Sequence, residues 1–257
     1  MSYTCQFTND NNVVVKLPLE KHHKKCMVFS KRDNHEVGFR KINTWLINNK
    51  YIKNNIIDLG AWLGDNSVPW AMNLPESIIY SIDPSRRNLD FIKDVSLLNN
   101  IKNIDRLQYA VSDNVETLTT NGNIDHCSFV YGNPNNNGKH KEYAVTLDSL
   151  WEDELIKNIG MIHLDVEGME SRVLKGGNKM INKYRPIITY EQHLNIDDTK
   201  IIKGFLQEKK YDIFMIDEIL PGCRSDCRNF LALPFDTALN KKIVNDINNY
   251  MGSCILV

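Results

Sequence analysis

The sequence predicts an α/β fold in three layers, with a mostly parallel seven-stranded sheet that ends in an antiparallel hairpin. Two observations predict it. Apolar runs at 56–59, 77–82, 160–166 and 186–190, with a further strand candidate at 106–111, have the character of strands buried on both faces, and helical segments separate them. Two more runs, 211–219 and 229–233, are parted only by a turn around Pro221 and Gly222. That gap is too short for a helical crossover, so the pair is expected to be antiparallel.

Along the chain, residues 1–50 are expected to be an N-terminal extension that packs on the core and shapes part of its pocket, ahead of the main domain at 51–257. The extension contains a strand candidate at 13–19 and the basic run KHHKK at 21–25, read as a solvated surface. A helix from Glu36 comes next, with Ile42, Trp45 and Leu46 at core-facing spacing. In NIIDLGAWLGDNS, residues 55–67, a strand passes through a glycine turn into a helix that Asn66 can cap, with Pro69 tolerated in its first turn. The next strand ends at Asp83, which can cap the helix at 86–98 or hold ribose hydroxyls, as a carboxylate does in α/β nucleoside sites. Ser112 and Asp113 stand after the third strand, where an adenine would lie.

Residues 126–147 read as two strand-like pieces around a polar loop, either a surface excursion or a lid. GMIHLDV exits through DVEG, whose Asp165 and Glu167 can face one site only if Gly168 turns the chain, because alternate strand residues point oppositely. A helix from Met169 is interrupted near Gly176 and Gly177, and PIITY leaves Glu191, Gln192 and His193 at its end. Such strand ends are where an open α/β sheet builds its site. Asp198 can cap a helix with the stripe Ile201, Ile202, Phe205 and Leu206, and a last amphipathic helix starts near Thr237.

Composition narrows the function classes. A net charge of −1 with 25% charged residues provides no global basic field, so nucleic acid is not the favoured partner. The N-terminus MSYTCQFTNDNN has no apolar signal core and the chain has no run of about 18 apolar residues, so a soluble cytoplasmic protein is expected. Six scattered cysteines, at 5, 26, 127, 223, 227 and 254, read as reduced thiols. Cys223 and Cys227 suggest a metal, but a structural zinc needs four ligands and no second pair stands nearby.

The turn after the first core strand carries the chemistry. Asp58, Gly60 and Gly64 make a DxGxxxG pattern, not the GxGxxG of dinucleotide sites, and Trp62 puts a large ring where a pyrophosphate needs bare backbone. A ligand without phosphate fits better, and S-adenosylmethionine is one. An ordinary strand-to-helix turn is the plain alternative.

Five segments, IIDLGAWLGDNS, YSIDPS with its helix, VTLDSLW, IHLDVEGMESRVLKGG and PIITYEQH, resemble in order and spacing the FkbM family of S-adenosylmethionine-dependent methyltransferases. The resemblance runs from about residue 55 to 193 and implies a Rossmann-like class I methyltransferase fold. It implies that Asp58, Gly60 and Gly64 hold the methionine portion of the cofactor, Asp83 the ribose, and Ser112 with Asp113 the adenine, with Ala61, Trp62 and Asn66 also among the cofactor-binding residues. Asp165, Glu167, Glu191 and His193 would face the acceptor, and the acceptor class implied is a hydroxyl of a sugar, glycan or other small molecule. Trp62 departs from the small polar residue common after GA, and residues 1–50 match nothing in the family.

Methyl transfer is an in-line displacement, so positioning the acceptor oxygen contributes much of the rate. A sugar hydroxyl also needs a base within hydrogen-bond reach. His193 is the natural base near neutral pH, with Asp165 and Glu167 as alternatives, and a plain strand-end imidazole bonded to backbone remains open. Asp165 and Glu191 can also hold a divalent cation, which is not favoured. Three other functions stay in view: an NAD oxidoreductase, which lacks its GxGxxG, a catalytically silent cofactor-binding scaffold, and an RNA methyltransferase, against which the charge weighs.

Overall fold

The computed structural model describes residues 5–8, 13–32, 35–120, 140–193, 199–218, 227–251 and 254–256. The 126–139 part of the polar loop, Asp198, Cys223 and the turn around Pro221 and Gly222 lie outside the described residues. An antiparallel pair, β1 (Cys5–Thr8) and β2 (Val14–Leu17), is followed by α1 (Leu19–Phe29) and α2 (Val37–Asn48). Strand and helix then alternate through β3 (Asn55–Leu59), α3 (Ser67–Asn73), β4 (Ile79–Ile82), α4 (Arg86–Leu98) and β5 (Ile104–Leu107). A three-stranded side sheet is made by β6 (Ala110–Val111), β7 (Glu116–Thr120) and β8 (His140–Val145). The chain continues with α5 (Leu147–Glu152), β9 (Ile159–Leu164), α6 (Glu170–Gly176), α7 (Asn178–Tyr184), β10 (Ile187–His193) and α8 (Thr199–Glu208). It closes with β11 (Tyr211–Ile216), β12 (Cys227–Pro234), α9 (Thr237–Met251) and β13 (Cys254–Leu256).

The main sheet has the order β13-β11-β12-β10-β9-β3-β4-β5. From β10 to β5 its strands are parallel, whereas β12 runs antiparallel to both β10 and β11. The expected α/β class and terminal antiparallel hairpin are therefore present. Among the described residues the sheet has eight strands and not seven, because the short tail strand β13 adds antiparallel to β11. A three-residue strand is too short to show periodicity. The expected third strand splits, β5 joining the main sheet and β6 the side sheet.

Alternation along the strands separates two cores. Ile57 and Leu59 of β3, Tyr80 and Ile82 of β4, Ile162 and Leu164 of β9, and Ile188 and Tyr190 of β10 join one apolar cluster with α5, α6, α7 and α8 residues. Ile56, Ile79, Met161 and Ile187 point the other way, into a cluster with Phe39, Ile42 and Leu46 of α2 and Val68 and Trp70 of α3. On that second face the sequence changes character toward the C-terminal ends of the strands. There the same alternation places Asp58, Ser81, His163, Thr189, Glu191 and His193, all buried and all polar.

The KHHKK run is not a free solvated face. It lies in α1, which rests on α4: Lys21 Nζ and His22 Nε2 meet Asp94 Oδ2 at 2.6 and 2.7 Å, and Lys25 Nζ donates to the Arg87 carbonyl at 2.8 Å. His22 packs edge-on to Phe91, at 5.3 Å between ring centroids, so the run's register on the helix puts two of its five residues inward.

Candidate active site

The turn after β3 is shaped by close approach. Gly60 has φ +76°, and a Cβ there would fall 1.8 Å from the Asp165 carbonyl oxygen, so the exits of β3 and β9 are pressed together at a point that admits only glycine. Gly64, at φ +75°, lies against Ile92 of α4. Trp62 adopts φ +43°, a conformation strained for a bulky residue, and is held by its N–H, which donates to Asp83 Oδ2 at 2.8 Å. The Arg32 guanidinium lies 5.6 Å from the centroid of its ring.

Two carboxylates sit under this turn. Asp58 accepts from the Ser67 hydroxyl, which in turn accepts from Ser81 Oγ at 2.6 Å, and burial pushes the Asp58 carboxyl up to about 7. Burial likewise raises Asp83 to about 7, against the opposing effect of three donors: Ser85 N–H at 2.7 Å, Trp62 N–H and the Asn88 amide at 3.3 Å. Asp83 thus fastens the start of α4 and the Trp62 turn at once. Asn66 stands at the N-cap of α3 yet makes no side-chain cap, because its backbone is helical rather than extended and its amide lies 3.4 Å from His163 Nε2. Ser112 and Asp113 take other partners. The Ser112 hydroxyl donates to Glu116 Oε1 at 2.8 Å, while Arg172 Nε donates to Asp113 Oδ1 at 2.6 Å; burial would raise that carboxyl, but Arg172 holds it below its usual range.

An ion network ties the N-terminal segment to the turn. Asp65, buried behind Gly64, accepts from Arg32 Nε at 2.6 Å and Arg40 at 2.7 Å. Burial would raise its carboxyl, yet the two guanidiniums bring it down to about 2. Glu36 accepts from Arg32 at 2.5 Å and from the Asn229 amide at 3.3 Å, and that amide also reaches Glu218 at 3.2 Å. Residues before 50 therefore pack against the turn between β3 and α3 and against β12.

The second half of the site lies at the ends of β9, β10 and β12. The chain turns at DVEG through left-handed Glu167 and Gly168, at φ +53° and +97°, which brings Glu167 Oε2 to 3.6 Å from His193 Nε2. Glu191 Oε2 lies 4.0 Å from the same nitrogen, and Cys227 Sγ is 3.2 Å from His193 Nδ1. Asp165 and Glu191 share a hydrogen bond, and burial, then Glu191 and Glu36, push Asp165 well above the usual carboxylate range. Burial raises Glu191 too. Glu191 and His193 are the last residues of β10 rather than a loop after it, and their pairing with Asn229 and Cys227 of β12 fixes their orientation.

His163, Cys227, Asp65, Arg32 and Arg40 were not singled out for this site by their residue pattern. His163 sits between Phe39 and Trp70, at centroid distances of 4.9 and 5.6 Å, and burial drives its imidazole down to about 3. With Asn66 donating to Nε2, Nδ1 is left to donate to Thr189 Oγ1 at 3.2 Å. The histidine in IHLDV is the one signal that could have flagged it, as a polar residue inside an apolar run.

A parallel sheet of this order, closed by an antiparallel hairpin and bearing its polar groups at the strand exits, defines a Rossmann-like class I methyltransferase fold. The family model described as Methyltransferase FkbM domain matches residues 58–213, more than half of the chain. The chain belongs to the FkbM family of S-adenosylmethionine-dependent methyltransferases. Among solved structures, a methyltransferase FkbM from Methylobacillus flagellatus KT is 17% identical with a TM-score of 0.49, covering 69% of this chain and 43% of that one. A SAM dependent methyltransferase from Aquifex aeolicus is 11% identical with a TM-score of 0.42, covering 75% and 90%. A METTL16 MTase domain is 11% identical with a TM-score of 0.49, covering 90% and 87%. No curated protein matches the chain. Among the described residues, no helix is long and apolar enough to cross a membrane.

Proposed function

We propose that the protein transfers a methyl group from S-adenosylmethionine to a hydroxyl of a sugar, glycan or other small molecule in the cytoplasm. The observation that carries this reading is the contact of the Gly60 turn with the Asp165 backbone, which puts the turn assigned to the cofactor beside the residues assigned to the acceptor. S-adenosylmethionine supplies a methyl group on a sulfonium. Asp58, Gly60, Ala61, Trp62, Gly64 and Asn66 line its methionine end, and Asp83 meets the ribose. The buried carboxylates of Asp58 and Asp83 suit a ligand that carries positive charge and no phosphate. Ser112 and Asp113 border the adenine, with their side chains steadied by Glu116 and Arg172.

Asp165 is the best placed of the candidate bases. Both ring nitrogens of His193 face side chains, Cys227 and Glu167, whereas Asp165 meets the Gly60 turn through its backbone carbonyl and carries a carboxyl that burial and Glu191 push well above the usual range. Glu167, Glu191 and His193 orient the acceptor. Residues before 58 lie outside the matched family region, and Glu36, Phe39 and Arg40 come from there, so acceptor choice is assigned to α2.

The test is transfer of a labelled methyl group to a panel of sugars, sugar nucleotides and small alcohols, with products analysed by mass spectrometry and NMR. The expected product is a methyl ether. Asp165→Asn is expected to lower turnover by roughly 10²–10⁴ while S-adenosylhomocysteine affinity is unchanged. A loss of that size in His193→Ala instead would move the base to the imidazole, and labelled product only at nitrogen or carbon would overturn O-methyl transfer.

A further inference from the structure

We propose that Glu191, His193 and Cys227 bind a divalent transition-metal ion of the zinc class at the joined ends of β10 and β12. Their ligand atoms, a carboxylate oxygen, an imidazole nitrogen and a sulfur, lie within 4.8 Å of one another, and all three residues are buried. Cys227 stands between the other two: its sulfur is 3.2 Å from His193 Nδ1 and it hydrogen-bonds the Glu191 carboxylate. Ligands of a tetrahedral zinc, at about 2.3 Å for sulfur and 2.0–2.1 Å for nitrogen, are about 3.5 Å apart, so small side-chain movements bring this set onto one ion.

Strand register explains why the set exists. Residues opposite one another in an antiparallel pair share a face, and β10 pairs with β12 as Glu191 with Asn229 and His193 with Cys227. Side chains two apart on β10 also share a face, so Glu191, His193 and Cys227 converge on two rigid strands. The donor types then choose the ion. Thiolate and imidazole favour zinc and its neighbours, whereas Mg²⁺ and Ca²⁺ prefer shells made of oxygen. Three protein ligands leave a tetrahedral ion one position, the pattern of zinc sites that act on a substrate.

The surroundings resemble an outer ligand shell. Glu167 lies 3.6 Å from His193 Nε2, on the side of the ring away from Cys227, and Asp165 hydrogen-bonds Glu191. A carboxylate behind a ligating histidine fixes its orientation and raises its basicity. The missing second cysteine pair that argued against a metal at Cys227 is thereby replaced by a histidine and a glutamate 34 and 36 residues earlier, counting 227 minus 193 and 227 minus 191. This inference goes beyond the acceptor reading, because it requires neither cofactor nor acceptor.

The experiment is a Co²⁺ titration of the tag-free full chain after chelator treatment, followed by displacement with Zn²⁺. One Co²⁺ per chain is expected, with a thiolate-to-cobalt charge-transfer band that excess Zn²⁺ removes. Cys227→Ser should lose the band and bind Zn²⁺ about 100-fold more weakly or worse, and Glu167→Gln should weaken binding roughly 10–100-fold. Cys26→Ser, at a second buried cysteine, should keep the band. Should Cys227→Ser fail to fold, His193→Gln carries the same binding test. Absence of Co²⁺ uptake, or a band that survives in Cys227→Ser, would overturn the site. Because these spectra are read without S-adenosylmethionine, either outcome leaves the methyl-transfer assay to stand or fall separately.

Discussion

His163 is a titratable ring buried between aromatic side chains, and its protonation is therefore coupled to folding. Its folded pKa of about 3 lies below its ordinary 6.5, because burial penalises the charged ring. The unfolded chain binds the proton more readily. The stability due to a neutral His163 is complete above about pH 6.5 and is lost as pH falls from there toward 3. Comparing wild type with His163→Gln by urea denaturation isolates the effect, since the raised carboxyls of Asp58 and Asp83 are common to both. The stability difference is expected to shift against the wild type by up to about 1.4 kcal/mol per pH unit below 6.5. A difference that stays constant from pH 7 to pH 4.5 would mean the ring is hydrated. This residue was hard to read from the chain because a histidine within GMIHLDV shows neither burial nor partners; Phe39, Trp70 and Thr189 come from three other elements.

Between elements, the network around Asp65 joins α2 to the turn between β3 and α3. The helix from Glu36 was legible from the spacing of Ile42, Trp45 and Leu46, and Ile42 and Leu46 are buried as that spacing requires. Its polar face was not legible. Arg40 sits at 7% exposure, and a charge there would be costly without Asp65, 25 residues away in sequence. Removing the shared acceptor leaves two guanidiniums poorly compensated, so Asp65→Ala is expected to destabilise the fold by about 3–5 kcal/mol. Thermal and denaturant unfolding would measure it. A loss below about 1 kcal/mol would show the network to behave like a solvated surface pair. The same limit explains Cys227. Its partner His193 depends on the register of two strands joined through a long connection, which local pattern does not reveal.

In the protein as a whole, the parallel order, the terminal hairpin and the glycine turn were legible because each leaves a local trace: apolar runs, a short gap, and paired glycines around Trp62. The eighth strand was not, because three residues show no periodicity, and neither was the gathering of polar groups on one face, which arises only when β4, β3, β9 and β10 lie side by side. Under the proposed function, the Gly60–Asp165 contact divides a nucleoside side near Asp83 from an acceptor side near Glu191. The nucleoside side is open to one direct measurement. Calorimetric titration of the wild type and Asp83→Ala with S-adenosylhomocysteine, and of the wild type with NAD, is expected to show one S-adenosylhomocysteine per chain and no NAD binding. In folded Asp83→Ala, the affinity should fall by about 1–3 kcal/mol, the value of hydrogen bonds to a charged group. Tight binding of NAD with no response to S-adenosylhomocysteine would contradict the account.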